Sequence, residues 1–116
     1  MQERPFTSTL DSGVLTVSGS IDEYAVMTLR NQIAAHSADY TGRVVIELSD
    51  VDYLPSVAIG VLAKAMSQAR RAGGSVELVA RRDTLAQRML TVVALPYRES
   101  PDDEEPDPSG APGAVA

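Results

Sequence analysis

One serine stands where a hydroxyl could react. Ser56 follows Val51-Asp-Tyr-Leu-Pro55 and opens the longest stretch of helical periodicity, so it falls at a turn-to-helix junction. A hydroxyl there can do two things. It can cap the free N–H groups of the helix, or it can receive a phosphoryl group, which the positive end of a helix dipole tolerates. Other chemistry has little to draw on. There is no cysteine, which excludes disulfides, thiolate metal sites and thiol nucleophiles, and the one histidine, His36, leaves little for a histidine metal site or a Ser/His/Asp triad. Asp50 and Asp52 have no histidine or metal motif beside them and read as turn residues. Gly73-Gly74 precedes a strand pattern and not a helix opened by Lys-Ser/Thr, so it reads as a helix stop. The residues point to a binding protein without catalytic activity, cofactor or metal.

The chain of 116 residues is long enough for one domain and one core. Its net charge of -6 is unevenly placed. From Arg98 onward there are six acidic residues and one basic residue, so residues 1–97 are nearly neutral. Pro101, Pro106, Pro108 and Pro112 interleave with the acids and small residues. Such a composition buries too little to offset the entropy of ordering. The expected organisation is a domain over residues 1–97 and an acidic, proline-rich, disordered tail over 98–116. No basic stripe with interleaved aromatics argues for nucleic acid. No apolar run has the length of a membrane span, and the N-terminus lacks the pattern of a signal peptide, so the expected location is cytoplasmic.

Seven elements are expected to position Ser56. Phe6 to Leu10 and Val14 to Ser18 read as a hairpin about the turn Asp11-Ser-Gly13. Asp22 caps a helix from about Glu23 to Ser37, with Val26, Leu29 and Ile33 on its inner face. Arg43 to Leu48 reads as a central strand covered on both faces. A helix from Ser56 to Ala72 buries Ala58, Leu62, Ala65, Met66 and Ala69. It turns Ser56, Gly60 and Lys64 outward, with the apolar Val57 at the outward edge. Ser75 to Val79 is a further strand. Asp83 or Thr84 caps a last helix, with Leu85, Met89, Val92 and Val93 inward. The order β-β-α-β-α-β-α is that of an α/β fold. A four- to five-stranded mixed, mostly parallel sheet packs with about three main helices, joined by right-handed crossovers.

In this order the chain resembles the STAS domain, which occurs in sulfate transporters and in bacterial anti-sigma factor antagonists. Gly19-Ser-Ile-Asp22 looks like the family's Gly-x-Leu-Asp before its first helix. Val44-Val-Ile-Glu-Leu-Ser-Asp-Val-Asp-Tyr-Leu54 looks like its central strand and turn. Pro55-Ser-Val-Ala-Ile-Gly-Val-Leu62 stands where the family has Asp-Ser-Ser-Gly-Leu-Gly-x-Leu, and Arg70-Arg-Ala-Gly-Gly-Ser-Val-Glu-Leu-Val79 also fits. The resemblance implies a phosphoacceptor at Ser56. It implies a partner that is both anti-sigma factor and serine kinase, of the histidine-kinase-like ATPase type. The implied docking surface is Asp22, Tyr53, Leu54, Pro55, Ser56, Val57 and Gly60. The family's aspartate is Pro55 here, its second hydroxyl residue is Val57, and its glycine is Ala58. These departures keep two further readings open: a scaffold that docks without phosphorylation, and a soluble subunit bound to a transporter ATPase. A homodimer is also left open.

Overall fold

The computed structural model describes residues 4–100, and the tail from residue 101 lies outside them. The elements are β1 (Thr7–Asp11), β2 (Val14–Ser20), α1 (Glu23–His36), β3 (Arg43–Tyr53), α2 (Ser56–Ala72), β4 (Ser75–Val79) and α3 (Leu85–Val92). They form one four-stranded sheet in the order β1-β2-β3-β4. The β1–β2 hairpin is antiparallel, and β2–β3 and β3–β4 are parallel. This is the expected mixed, mostly parallel α/β sheet. Arg98 adds an isolated parallel bridge to Val79 at the outer edge of β4. Among the described residues, no helix is long and apolar enough to cross a membrane.

Strand alternation divides β3 between two faces. Val44, Ile46 and Leu48 join Leu15 and Val17 of β2 and Val76 and Leu78 of β4 in one apolar cluster, together with the inner faces of all three helices. Val45 and Glu47 alternate with them and are also buried, which is why β3 reads as a nearly unbroken apolar run. Glu47 is satisfied locally, since its Oε1 accepts from the Ser49 amide and hydroxyl.

The first two helices form where their sequences indicate. Asp22 caps α1, its Oδ1 accepting from the Ala25 amide at 2.9 Å. Val26, Leu29 and Ile33 are buried. In α2 the buried residues are Ala58, Ile59, Leu62, Ala65 and Ala69. Gly73 closes α2 in the left-handed conformation, φ 93°, which glycine adopts without a Cβ penalty.

Two expectations are corrected. The inward face of α3 is Ala86 and Leu90, with Met89 packed against the core as expected, whereas Val92 is 79% and Val93 43% exposed. The helix ends at Val92 and Ala94 is left-handed, φ 61°, so Val93 lies past the last turn. In a helix of two turns, apolar spacing alone does not separate faces 100° apart. Asp50 and Asp52 are not in a turn, because β3 continues to Tyr53 and both lie within the strand. The chain also stays attached beyond the expected boundary at Tyr97. The Arg98 amide donates to Leu78 O at 2.9 Å, and Arg98 O accepts from the Ala80 amide at 2.8 Å.

Candidate functional site

The extension of β3 sets the geometry of the site. The Ile21 amide donates to Tyr53 O at 3.0 Å, which ties the approach to α1 against the end of β3. Asp22 and Tyr53 are thereby neighbours on the rim formed by the carboxyl ends of the parallel strands. Two residues later α2 begins, so the starts of both helices face the same way. The rim therefore gathers Asp22, Tyr53, Pro55, Ser56 and Val57, with Gly60 one turn along α2. Asp22, Tyr53, Ser56, Val57 and Gly60 are exposed and Pro55 is half-buried. Leu54 does not belong with them. It is 3% exposed and part of the core cluster, so it anchors the turn from below and is not available to a partner.

Ser56 is not the cap of α2. Pro55 holds that position at φ -74° and ψ 165°, with no side-chain capping bond and no acidic residue in the first turn. Its carbonyl accepts from the amides of Ala58 and Ile59 at 3.0 and 3.1 Å. Proline supplies the right φ, but it brings neither an N–H nor a capping oxygen. Ser56 is thus the first helical residue, exposed, at a helix start that carries the positive end of the dipole without a compensating carboxylate.

Behind the rim, an N-terminal arm is strapped to β2 and β3. The Ser20 amide donates to Arg4 O at 3.0 Å. The Arg4 guanidinium donates to both Asp50 carboxylate oxygens at 3.1 Å and to Asp52 Oδ2 at 3.0 Å, while Asp52 Oδ1 accepts from Ser20 Oγ at 3.0 Å. The two aspartates therefore serve as an attachment for the arm. Gly19 makes room for it: its φ is 85°, and a Cβ there would lie 2.0 Å from Pro5 O. Desolvation opposes the charge of Asp52, but the hydrogen bonds from Arg4 and Ser20 outweigh it and hold the carboxyl below its usual range. A depressed folded-state pKa means that the attachment is fully present above the unfolded value. It is lost only as pH falls through the lower, folded value. An NMR titration of the Asp52 carboxyl should show its midpoint on the acid side of an unperturbed aspartate, with the Arg4 Nε–H signal lost in step. A midpoint at or above the usual carboxylate range would contradict the clasp.

Two residues on the first helix were not anticipated. Tyr24 is 81% and Met27 53% exposed, beside Tyr53 at 45% and Val57 at 55%. A signal for them was present: at 100° per residue both fall off the arc of Val26, Leu29 and Ile33. Four large apolar side chains thus stand in solvent on the starts of α1 and α2 and the end of β3. Gly60 lies among exposed α2 residues, with no atom within 4 Å of where its Cβ would be. Gly60→Ala should raise the unfolding free energy by roughly 1 kcal/mol through helix propensity alone. Urea denaturation measures this, and a loss of stability would mean that the backbone at Gly60 needs a conformation alanine cannot take.

Residues 6–95 match the family model described as "Mlab, STAS domain". Among solved structures, an anti-sigma factor antagonist from Mycobacterium paratuberculosis is similar over 84% of this chain and 87% of its own, with 28% identity and a TM-score of 0.66. The anti-sigma factor antagonist SpoIIAA, in its unphosphorylated form, is similar over 78% of this chain and 82% of its own. Its identity is 16% and its TM-score 0.60, a likeness that bears on the fold alone.

Proposed function

Because this chain belongs to the STAS domain family, we propose that it is a regulatory binding protein of the anti-sigma factor antagonist type, docking a kinase-like anti-sigma factor through the rim at the start of α2. It acts by occupancy and not by turnover. The observation that carries this reading is the exposed, uncapped start of α2, with Ser56 as its first residue and Val57 apolar and 55% exposed beside it. Ser56 is the phosphoacceptor. Its hydroxyl is open to a kinase, and a phosphate would sit at the unneutralised positive end of a helix of 17 residues. The same phosphate would bring about -1.5 to -2 charges to the docking rim, weakening the contact by repulsion and desolvation. Asp22, Tyr53, Pro55, Val57 and Gly60 complete the contact surface.

A second reading rests on the departures at the same place. Pro55 and Val57 replace residues that carry a carboxylate and a hydroxyl in the pattern the chain resembles, while the exposed apolar surface is kept. A protein that docks without being modified, as a scaffold or as the soluble partner of a transporter ATPase, would need only that surface. Affinity capture with wild type, Ser56→Ala and Ser56→Glu, with intact mass of the recovered wild type, separates the two. A phosphate-sized mass addition, and capture of a kinase-like anti-sigma factor by wild type and alanine but not by glutamate, supports the switch. Equal capture by all three without modification supports the non-switching reading.

A further inference from the structure

Between α1 and α2 runs an open groove, continuous with the rim through Val57. Its apolar and aromatic lining is Ala34 from α1, Tyr40 from the loop that follows, and Val57 and Val61 from α2. Its charged lining is Arg30 and Lys64, with no acidic residue. Neither cation is in an ion pair among the described residues. Gly60 leaves a notch in the α2 wall, since nothing lies within 4 Å of an added Cβ. The lining of α2 extends from Val57 to Gln68, about 17 Å along the axis at 1.5 Å per residue, or three helical turns. Met27, 53% exposed, lies on the side of α1 that carries Ala34, about 20° from it at 100° per residue.

We propose that this groove seats an acidic amphipathic helix of the partner protein. An apolar face spaced at i, i+4 and i+7 would lie on Ala34, Val57 and Val61 and fill the Gly60 notch, and flanking Asp or Glu residues would pair with Arg30 and Lys64. The inference rests on the reading of the rim as a docking surface and adds the chemistry of what docks. An apolar floor beneath two cations does not suit a phosphate backbone, which wants charge and polar donors along its length. The chain's own acidic residues beyond Ser100 supply charge but no apolar face, with prolines at 101, 106, 108 and 112 and no large apolar residue before Val115.

The test uses the full chain labelled with 15N and two synthetic amphipathic peptides of about four turns. Both carry leucine at i, i+4 and i+7, one with glutamate flanks and one with lysine flanks. The glutamate peptide should shift the amides of Ala34, Gly60, Val61 and Lys64, and should bind at least about tenfold more tightly than the lysine peptide. The double variant Arg30→Glu with Lys64→Glu should reverse that preference, and Gly60→Met should abolish binding of both while keeping a dispersed spectrum. Equal binding of the two peptides, or shifts centred away from the groove, would overturn the proposal. So would shifts of the groove amides on removal of residues 101–116 without any peptide, which would make the chain's own tail the occupant. The Ser56 capture experiment involves neither peptide, so a negative result here with a positive one there removes the groove assignment and leaves the docking rim standing.

Discussion

Arg98→Ala should lower the unfolding free energy by about 3 kcal/mol, the lower end of what breaking a buried ion pair costs. The Arg98 side chain is 8% exposed and donates to Glu77 Oε1, whose side chain is 13% exposed. Removing the guanidinium leaves a carboxylate in a place that water hardly reaches. The loss stays near the lower end because Arg43 also holds Glu77, its Nε 2.9 Å from Oε2 and its Nη2 3.0 Å from Oε1, although it is itself 56% exposed. Urea denaturation reads the change directly. In a domain of this size it corresponds to a Tm lower by roughly 15 °C. Arg82→Ala is the control. Its pair with Glu99 is longer, 3.5 Å, and both side chains are largely in solvent, so its removal should cost less than about 1 kcal/mol. Equal effects of the two substitutions would show that burial of the Glu77–Arg98 pair contributes nothing and that the stable domain ends at Tyr97.

Gly74→Ala should be comparably damaging for a steric reason. A Cβ at Gly74 would stand 2.3 Å from Gly42 O, 2.4 Å from Tyr40 O and 2.7 Å from Thr41 C. All three are backbone atoms, so no rotamer change relieves the contact. The opposing loop has little freedom to retreat. Ala38, Asp39 and Tyr40 are three consecutive left-handed residues, a conformation that costs a residue with a Cβ roughly 1–2 kcal/mol. The loop is pinned by Asp39 N to Ala34 O at 2.7 Å, Gly42 N to Ser37 O at 2.7 Å, and Ser75 N to Gly42 O at 2.9 Å. Overpacking against such a loop should cost about 3 kcal/mol or more, seen as a lower urea midpoint or as failure to accumulate folded protein. Gly73→Ala, one residue earlier, has open space at its Cβ and should lose only the left-handed preference of the cap, about 1 kcal/mol. If Gly74→Ala is no worse than Gly73→Ala, the close approach of the Tyr40–Gly42 loop to β4 is wrong.

Features confined to one element could be read from the residues. The bounds of α2 follow from its apolar spacing, the proline at its entrance and the glycines at its end. The Asp22 cap follows from one side chain before a periodic run, and the double burial of β3 from an unbroken apolar stretch. The order of these pieces, with the residues before α1 and around Ser56, was enough to identify the family. The failures have a common cause. Leu54 and Tyr53 are adjacent and both apolar, yet one is in the core and the other half in solvent, because the sheet and helices pack against one side of that turn only. Asp50 and Asp52 look like turn residues until Arg4, 46 and 48 positions away, is brought against them by the pairing of β2 with β3. Arg98 looks like the start of a charged tail until it meets Glu77 across 21 positions. Periodicity and capping are short-range consequences of backbone geometry, so the sequence by itself determined the elements, their order and the family. Which charges meet, which apolar residues stay in solvent, and that α1 and α2 leave a cationic groove between them depend on how distant segments pack, and only the tertiary structure decided those.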